Sequence, residues 1–179
     1  ALTVTGSTGA DVITLGDGGG SITGGKGDDA LSGHSGTDTF IFSSSFANNA
    51  TDTITNFTSA TDKINLDALT TATAVTDVSA GAAKTFTTVA DTVYFYSATD
   101  TATGLSVETE STVVTIANAA LTITSAAAGA YLVIVDQTES NTGIYQWTDA
   151  TGNAEIHAGE LELLGTVATT LVAGDFIFA

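Results

Sequence analysis

Four nine-residue units run end to end from Gly6 to Ile41, and their frame constrains the fold more than any other feature. The third unit, Gly24-Gly25-Lys26-Gly27-Asp28-Asp29-Ala30-Leu31-Ser32, follows G-G-x-G-x-D-x-U-x at every fixed position, where U is a large apolar residue. Position eight falls on Ile13, Ile22, Leu31 and Phe40, and position six on Asp11, Gly20, Asp29 and Asp38. A flexible glycine linker has no reason to keep four apolar anchors in frame. Val4, nine residues before Ile13, holds the same phase, so the chain is expected to begin inside the repeat array.

The spacing dictates a shape. Glycines permit positive φ and close backbone approach, so each unit reads as a tight turn followed by a very short strand. One unit cannot bury its apolar residue alone, so successive units must stack. Two units make one coil of a parallel β-roll, and units two apart share a side. The turns also gather oxygen. Their carbonyls, at Gly6, Thr8 and Gly9, at Gly24, Lys26 and Gly27, and at Gly33, Ser35 and Gly36, can be aimed at a cation beside the position-six aspartates. Calcium takes about six to eight such oxygens, carboxylate and carbonyl mixed.

The two sides are unequal. Asp11 and Asp29 lie 18 residues apart and fall on one side, which predicts a well-formed site there. The other side pairs Gly20 with Asp38, so its first carboxylate is missing. Asp17, in the same turn as Gly20, is the candidate to rebuild it.

Composition narrows the class. Twenty acids face three lysines and no arginine, for a net charge of −17, which argues against nucleic acid and anionic membranes as partners. Bound calcium would cancel part of that repulsion. With no cysteine, disulfides cannot assign a compartment. Weak calcium repeats suit millimolar extracellular calcium instead. No apolar run is long enough for a transmembrane helix, and no cleavable signal is visible at the N-terminus.

Residues 1–66 read as the roll and its closing segment, and 67–179 as a β-rich, sandwich-like region, giving a mainly β fold. Residues 67–90 are rich in Ala and Thr with weak periodicity, and a short helix is expected there. Val93–Tyr96, Val113–Ile116, Leu121–Ile123 and Tyr131–Val135 read as strands from their β-branched and aromatic content. Gly143–Trp147 is expected to pair with Tyr131–Val135 across a turn at Gln137–Thr142, with Trp147 in the sheet core or on its face.

These units, and the segment after them, resemble the RTX (repeat-in-toxin) family exported by type I secretion, and most of the chain is covered by the likeness. In that family the roll is commonly followed by D-x-I-x-D-F and D-K-I-D-L. Here the corresponding residues are Asp52-x-Ile54-x-Asn56-Phe57 and Asp62-Lys63-Ile64-Asn65-Leu66. The resemblance implies calcium near Asp52, Asn56 and Asp62, with ligation weakened or altered where Asn replaces an acid. The alternative is a strand pair with solvated carboxylates. The family also implies an uncleaved C-terminal export signal, and Asp175-Phe176-Ile177-Phe178-Ala179, an acid followed by apolar residues, looks like one. A terminal edge strand is compatible with that role.

A second metal candidate is the twelve-residue stretch Asp149–Glu160, which resembles a degenerate EF-hand loop with oxygens at Asp149, Asn153 and Glu160. Its glycine stands at position four rather than six; a hairpin loop with an Asx turn is the alternative. Other resemblances fail on single residues. Gly20–Gly27 lacks the final Ser/Thr of a phosphate-binding loop, and no H-E-x-x-H motif occurs. His34 occupies a variable, solvated position, and His157 reads as a loop residue.

Two functions compete. One is an extracellular, cell-surface structural protein (an S-layer or fibre subunit, or its C-terminal assembly and export region) that self-assembles with calcium. The other is the C-terminal calcium-binding and secretion domain of an RTX enzyme such as a protease or lipase. No catalytic cluster is visible in the chain itself.

Overall fold

A computed structural model describes residues 1–43, 49–69, 72, 75–77, 84–87, 92–98, 110, 113–114, 121–125, 130–136, 140–148, 155–157 and 159–178. The repeat region winds back and forth between two sheets. Strands β1 (Leu2–Thr5), β3 (Gly20–Thr23), β5 (Asp38–Ile41) and β7 (Lys63–Asn65) line one side. Strands β2 (Val12–Thr14), β4 (Ala30–Ser32) and β6 (Asp52–Thr55) line the other. All neighbours within these two sets are parallel. That is the β-roll the nine-residue frame demanded.

The C-terminal strands continue the same sheets. Strand β15 (Phe176–Ile177) pairs in parallel with β7 and ends the first sheet. Strand β14 (Leu161–Val167) pairs in parallel with β6. Beyond β14 the second sheet runs through β13 (Asn141–Trp147), β12 (Ala130–Asp136), β10 (Val93–Ala98) and β8 (Val75–Asp77). Strands β9 (Lys84–Thr87) and β11 (Leu121–Ser125) form a separate parallel pair.

The position-eight residues build the core. Val4, Ile22, Phe40, Ile64 and Phe176 stand in register across the first sheet. Ile13, Leu31, Ile54 and Val167 do so across the second. Ile22, Phe40, Ile54, Ile64 and Val167 are fully buried. Each is worth about 1.5–3 kcal/mol relative to an exposed side chain. The outermost members, Val4 and Ile13, are only partly covered.

The expected hairpin forms: β12 and β13 pair antiparallel, with Tyr131 opposite Gln146. Asn141 and Thr142 already belong to β13, so its connection is shorter than the expected turn. Trp147 is buried, as expected. Two local expectations fail. Instead of a helix, the described part of 67–90 holds strands β8 and β9, because pairing with β10 and β11 overrides a weak local pattern. Val113 and Val114 are helical rather than extended, with Val113 buried; Thr115 and Ile116 lie outside the described residues. β-branched content alone does not choose between burial in a sheet and burial in a helix.

Candidate metal centre

The position-six aspartates form two hydrogen-bonded columns, one per side. In the first, Asp11 N donates to Asp29 Oδ1 at 2.8 Å, and Asp29 N donates to Asp52 Oδ1 at 3.1 Å. In the second, Gly20 N donates to Asp38 Oδ1 at 3.0 Å, and Asp38 N donates to Asp62 Oδ1 at 2.9 Å. The rule is uniform: one carboxylate oxygen receives the position-six N–H of the preceding coil. The steps of 23 and 24 residues to Asp52 and Asp62 show that longer connections preserve the same stacking.

The other oxygen usually closes its own turn. Oδ2 of Asp11, Asp38 and Asp62 accepts from Ser7 N, His34 N and Thr58 N at 2.5, 2.8 and 2.7 Å, each four residues earlier. Asp29 breaks this rule. It is buried, and its Oδ2 has no hydrogen-bond partner. An unsatisfied buried carboxylate oxygen costs several kcal/mol unless something positive meets it. Burial raises the Asp29 pKa, and the charges of Asp11 and Asp28 add to the rise. Burial likewise pushes Asp52 up to about 7, with the negative charges of Asp29 and Asp28 contributing. This column is therefore short of positive charge.

Glycines bring further oxygen close. A Cβ at Gly24 would lie 2.2 Å from Asp29 Oδ2, and one at Gly6 would lie 1.9 Å from Gly24 O and 2.8 Å from Asp11 Oδ2. On the other side, a Cβ at Gly33 would meet Asn56 O and Asp38 Oδ2, each at 2.9 Å. Gly6 and Gly33, at position one of their turns, thus sit between a carboxylate and a carbonyl, and Gly24 sits against the Asp29 carboxylate, places that only glycine fits; Leu15 holds position one of the second unit. Asn56, in the left-handed region at φ 53°, supplies the equivalent carbonyl after β6. Gly25 and Gly27, at φ 112° and 103°, and Gly36, at φ 106°, make the turns possible. Oxygens of this kind, one or two carboxylates with backbone carbonyls, fit a hard divalent cation such as calcium. No group of three or more acidic or histidine side chains gathers among the described residues, so a cation here would depend on those carbonyls.

Several expected ligands stand elsewhere. Asp17 does not enter the second column in place of Gly20. Its side chain is 83 % exposed, lies 2.7 Å from His34 Nδ1 and accepts from Ser35 Oγ at 2.9 Å. Position three points outward, so Asp17 and His34 tie neighbouring coils at the surface, and His34 is paired rather than merely solvated. Asn56 Nδ2 donates to Ser32 Oγ at 2.8 Å, and its carbonyl faces Gly33. Of the EF-hand-like stretch, Asp149 and Asn153 lie outside the described residues. Glu160 is buried, and its Oε2 accepts from Trp147 Nε1 at 3.3 Å and from His157 N at 3.0 Å.

Two contributors escaped sequence reading. Asp28 accepts Thr51 N at 3.0 Å and so fixes the return of the chain into β6. Asp175 is fully buried and accepts Ser59 Oγ and Ala60 N, both at 2.7 Å. Its place in an acid-plus-apolar ending was visible, but not its contact with the roll.

Parallel coils of Asp-bearing nonapeptides around a continuous apolar core define an RTX-type β-roll. Residues 4–135 match the family described as Peptidase M10 serralysin C terminal. The chain belongs to that family, the non-catalytic calcium-binding repeat domain of secreted proteins. No curated protein matches the chain.

Proposed function

We propose that the chain is an extracellular calcium-binding structural module, an S-layer or fibre subunit or its C-terminal assembly and export region, whose folding and assembly depend on calcium. The Asp11–Asp29–Asp52 column carries this reading, because its buried Asp29 Oδ2 lacks any donor. Calcium there would be held by these carboxylates with carbonyls of the Gly6–Gly9 and Gly24–Gly27 turns. The second column, Asp38 and Asp62 with the Gly33–Gly36 turn, is the lesser candidate. The bound cation supplies positive charge to stacked acids in a chain of net charge −17. A chain that folds only with calcium stays unfolded where calcium is scarce, which suits passage through type I secretion machinery.

The family match favours a second reading: the calcium-binding and secretion region of an RTX enzyme, a protease or lipase. Circular dichroism and electron microscopy of the purified chain, with millimolar calcium and with excess chelator, separate the two. Calcium-induced β structure with ordered sheets or fibres supports the structural reading. Calcium-induced β structure in a lasting monomer supports the second. A spectrum unchanged by chelation refutes calcium-dependent folding in either.

A further inference from the structure

The turn before β3 carries a chemical combination that occurs once in the chain. Asp17–Gly18 is the one Asp-Gly step in the sequence, and no Asn-Gly step occurs. Glycine has no Cβ to shield its own nitrogen, so that nitrogen can attack the Cγ of a preceding aspartate and close a five-membered imide. The local structure leaves this step open. Asp17 and Gly18 are the central residues of a turn closed by Gly19 N donating to Gly16 O at 3.4 Å, a long bond. The Asp17 side chain is 83 % exposed, and a Cβ at Gly18 would meet nothing within 4 Å. Gly18 N donates to no acceptor among the described residues.

The other aspartates of the roll are blocked. Asp29, Asp38, Asp52 and Asp62 are buried, and each gives an oxygen to a backbone N–H. Asp28 is exposed, but the nitrogen after it, Asp29 N, is committed to Asp52 Oδ1. Asp11 precedes Val12, whose branched side chain crowds the attacking nitrogen. At Asp17 the contacts fall on one oxygen. Oδ1 accepts from Ser35 Oγ at 2.9 Å and lies 2.7 Å from His34 Nδ1, both on the next coil of that side. That leaves Oδ2 as the oxygen that can depart.

We infer that Asp17–Gly18 is a site of spontaneous isoaspartate formation in the folded chain. Gly18 N bonds to Asp17 Cγ, and Oδ2 leaves as water, carrying the amide proton and the proton of the neutral carboxyl. Water then opens the imide. Breaking the new bond from nitrogen to Cγ restores aspartate. Breaking the bond from nitrogen to the Asp17 carbonyl carbon gives isoaspartate, with the chain routed through Cγ. The mass is unchanged, and nothing is oxidised or reduced. The free carboxylate now sits on Cα, and the turn is longer by one backbone carbon. Gly19 has little room to absorb that carbon, since a Cβ there would lie 2.5 Å from Thr37 O, and the next nitrogen, Gly20 N, is bound to Asp38 Oδ1. The modification therefore cuts the tie from Asp17 to His34 and Ser35 and presses the turn against its neighbour. None of this depends on the calcium reading proposed above.

Prolonged incubation of the full chain at neutral pH in millimolar calcium tests this, with circular dichroism to follow the fold and a parallel sample in concentrated urea. Cleavage after lysine releases residues 1–26, which hold both Asp11 and Asp17. Electron-transfer fragmentation of that peptide marks the extra backbone carbon and its position. Isoaspartate is expected at residue 17 in the folded sample, growing with time, and not at residue 11. Isoaspartate at residue 17 in urea alone, or in neither sample, overturns the proposal. Gly18→Ala, for which the turn has room, should slow the folded-state rate at least about tenfold by crowding the nucleophile. An unchanged rate refutes the attack by Gly18 N. If that variant does not fold, Asp17→Glu decides, because the longer side chain closes a larger and less favoured ring. Methyl uptake from an isoaspartyl methyltransferase should then fall well below that of the parent chain, and equal uptake refutes the site.

Discussion

Asp52 should destabilise the calcium-free protein and strengthen the calcium-bound one, so a single neutral substitution is expected to act with opposite sign in the two states. The side chain is 3 % exposed, and its Oδ1 accepts only the Asp29 N–H among the bonds that define the column. Burial, together with the charges of Asp29 and Asp28, raises its pKa from 3.8 to about 7. The folded state thus holds a proton between those values that the unfolded chain has released. Stability without calcium is therefore greatest below the unfolded pKa and falls as pH rises towards the folded one. At 1.36 kcal/mol per unit, the loss is up to about 4 kcal/mol, a large share of an ordinary domain's 5–15 kcal/mol. Asp52→Asn preserves an acceptor of nearly the same shape and removes the charge. In calcium-free buffer at pH 7.5 it should increase the β structure present and flatten the loss of β structure between pH 4.5 and 7.5, followed by circular dichroism. In a calcium titration at pH 7.5 it should shift the folding midpoint to higher calcium, because a carboxylate ligand is gone. A calcium-free variant less stable than the parent chain at pH 7.5 would show that the carboxylate is already compensated, and the charge argument would fall.

The two columns differ in their need for a cation. Asp29→Ala should move the calcium midpoint upward by much more than Asp17→Ala, since Asp29 is buried with an unmet oxygen and Asp17 is a surface residue paired with His34; equal midpoints in a spectroscopic titration would reject the assignment. Stacking can be probed without touching a carboxylate. Gly25→Ala places a Cβ about 2.1 Å from Ser7 O at φ 112°, whereas Gly18→Ala meets nothing within 4 Å. The first should cost at least about 2 kcal/mol and the second less than about 1, measured by urea unfolding in calcium; comparable losses would mean that the coils do not approach this closely.

How far the chain could be read in advance depended on whether its contacts were local or periodic. The nine-residue frame located the core residues Ile22, Leu31 and Phe40, because each stands in register with a residue 18 positions away. The same frame could not reach Asp52 or Asp62. Their offsets break the period, and only the resemblance of the surrounding segment pointed to them. Nothing local could reveal Asp175, whose partner Ala60 lies 115 residues earlier. Strands β8 and β9 were missed for a related reason: their Ala/Thr-rich sequence has little preference of its own, and their neighbours in the sheet decide. Asp17 misled because distance along the chain was taken for position in space. It lies three residues from Gly20, but the turn carries it outward.

The asymmetry between the sides bears on the order of events. In the second column both oxygens of Asp38 and of Asp62 are met by backbone N–H groups, and the column ends on the turn that Asp175 braces. Protein donors alone complete it. In the first column Asp29 Oδ2 is unmet, and the Asp29 and Asp52 pKa values are both raised. That side stays costly at neutral pH until positive charge arrives. Neither can form alone, because Phe40 and Ile64 on one sheet share a single buried core with Leu31 and Ile54 on the other. The self-satisfied side therefore cannot serve as a preformed platform, and the charge deficit on the other side controls the whole roll. One side of the roll is thus complete in protein donors and the other is left short of positive charge at Asp29 and Asp52, while the common core ties the two together.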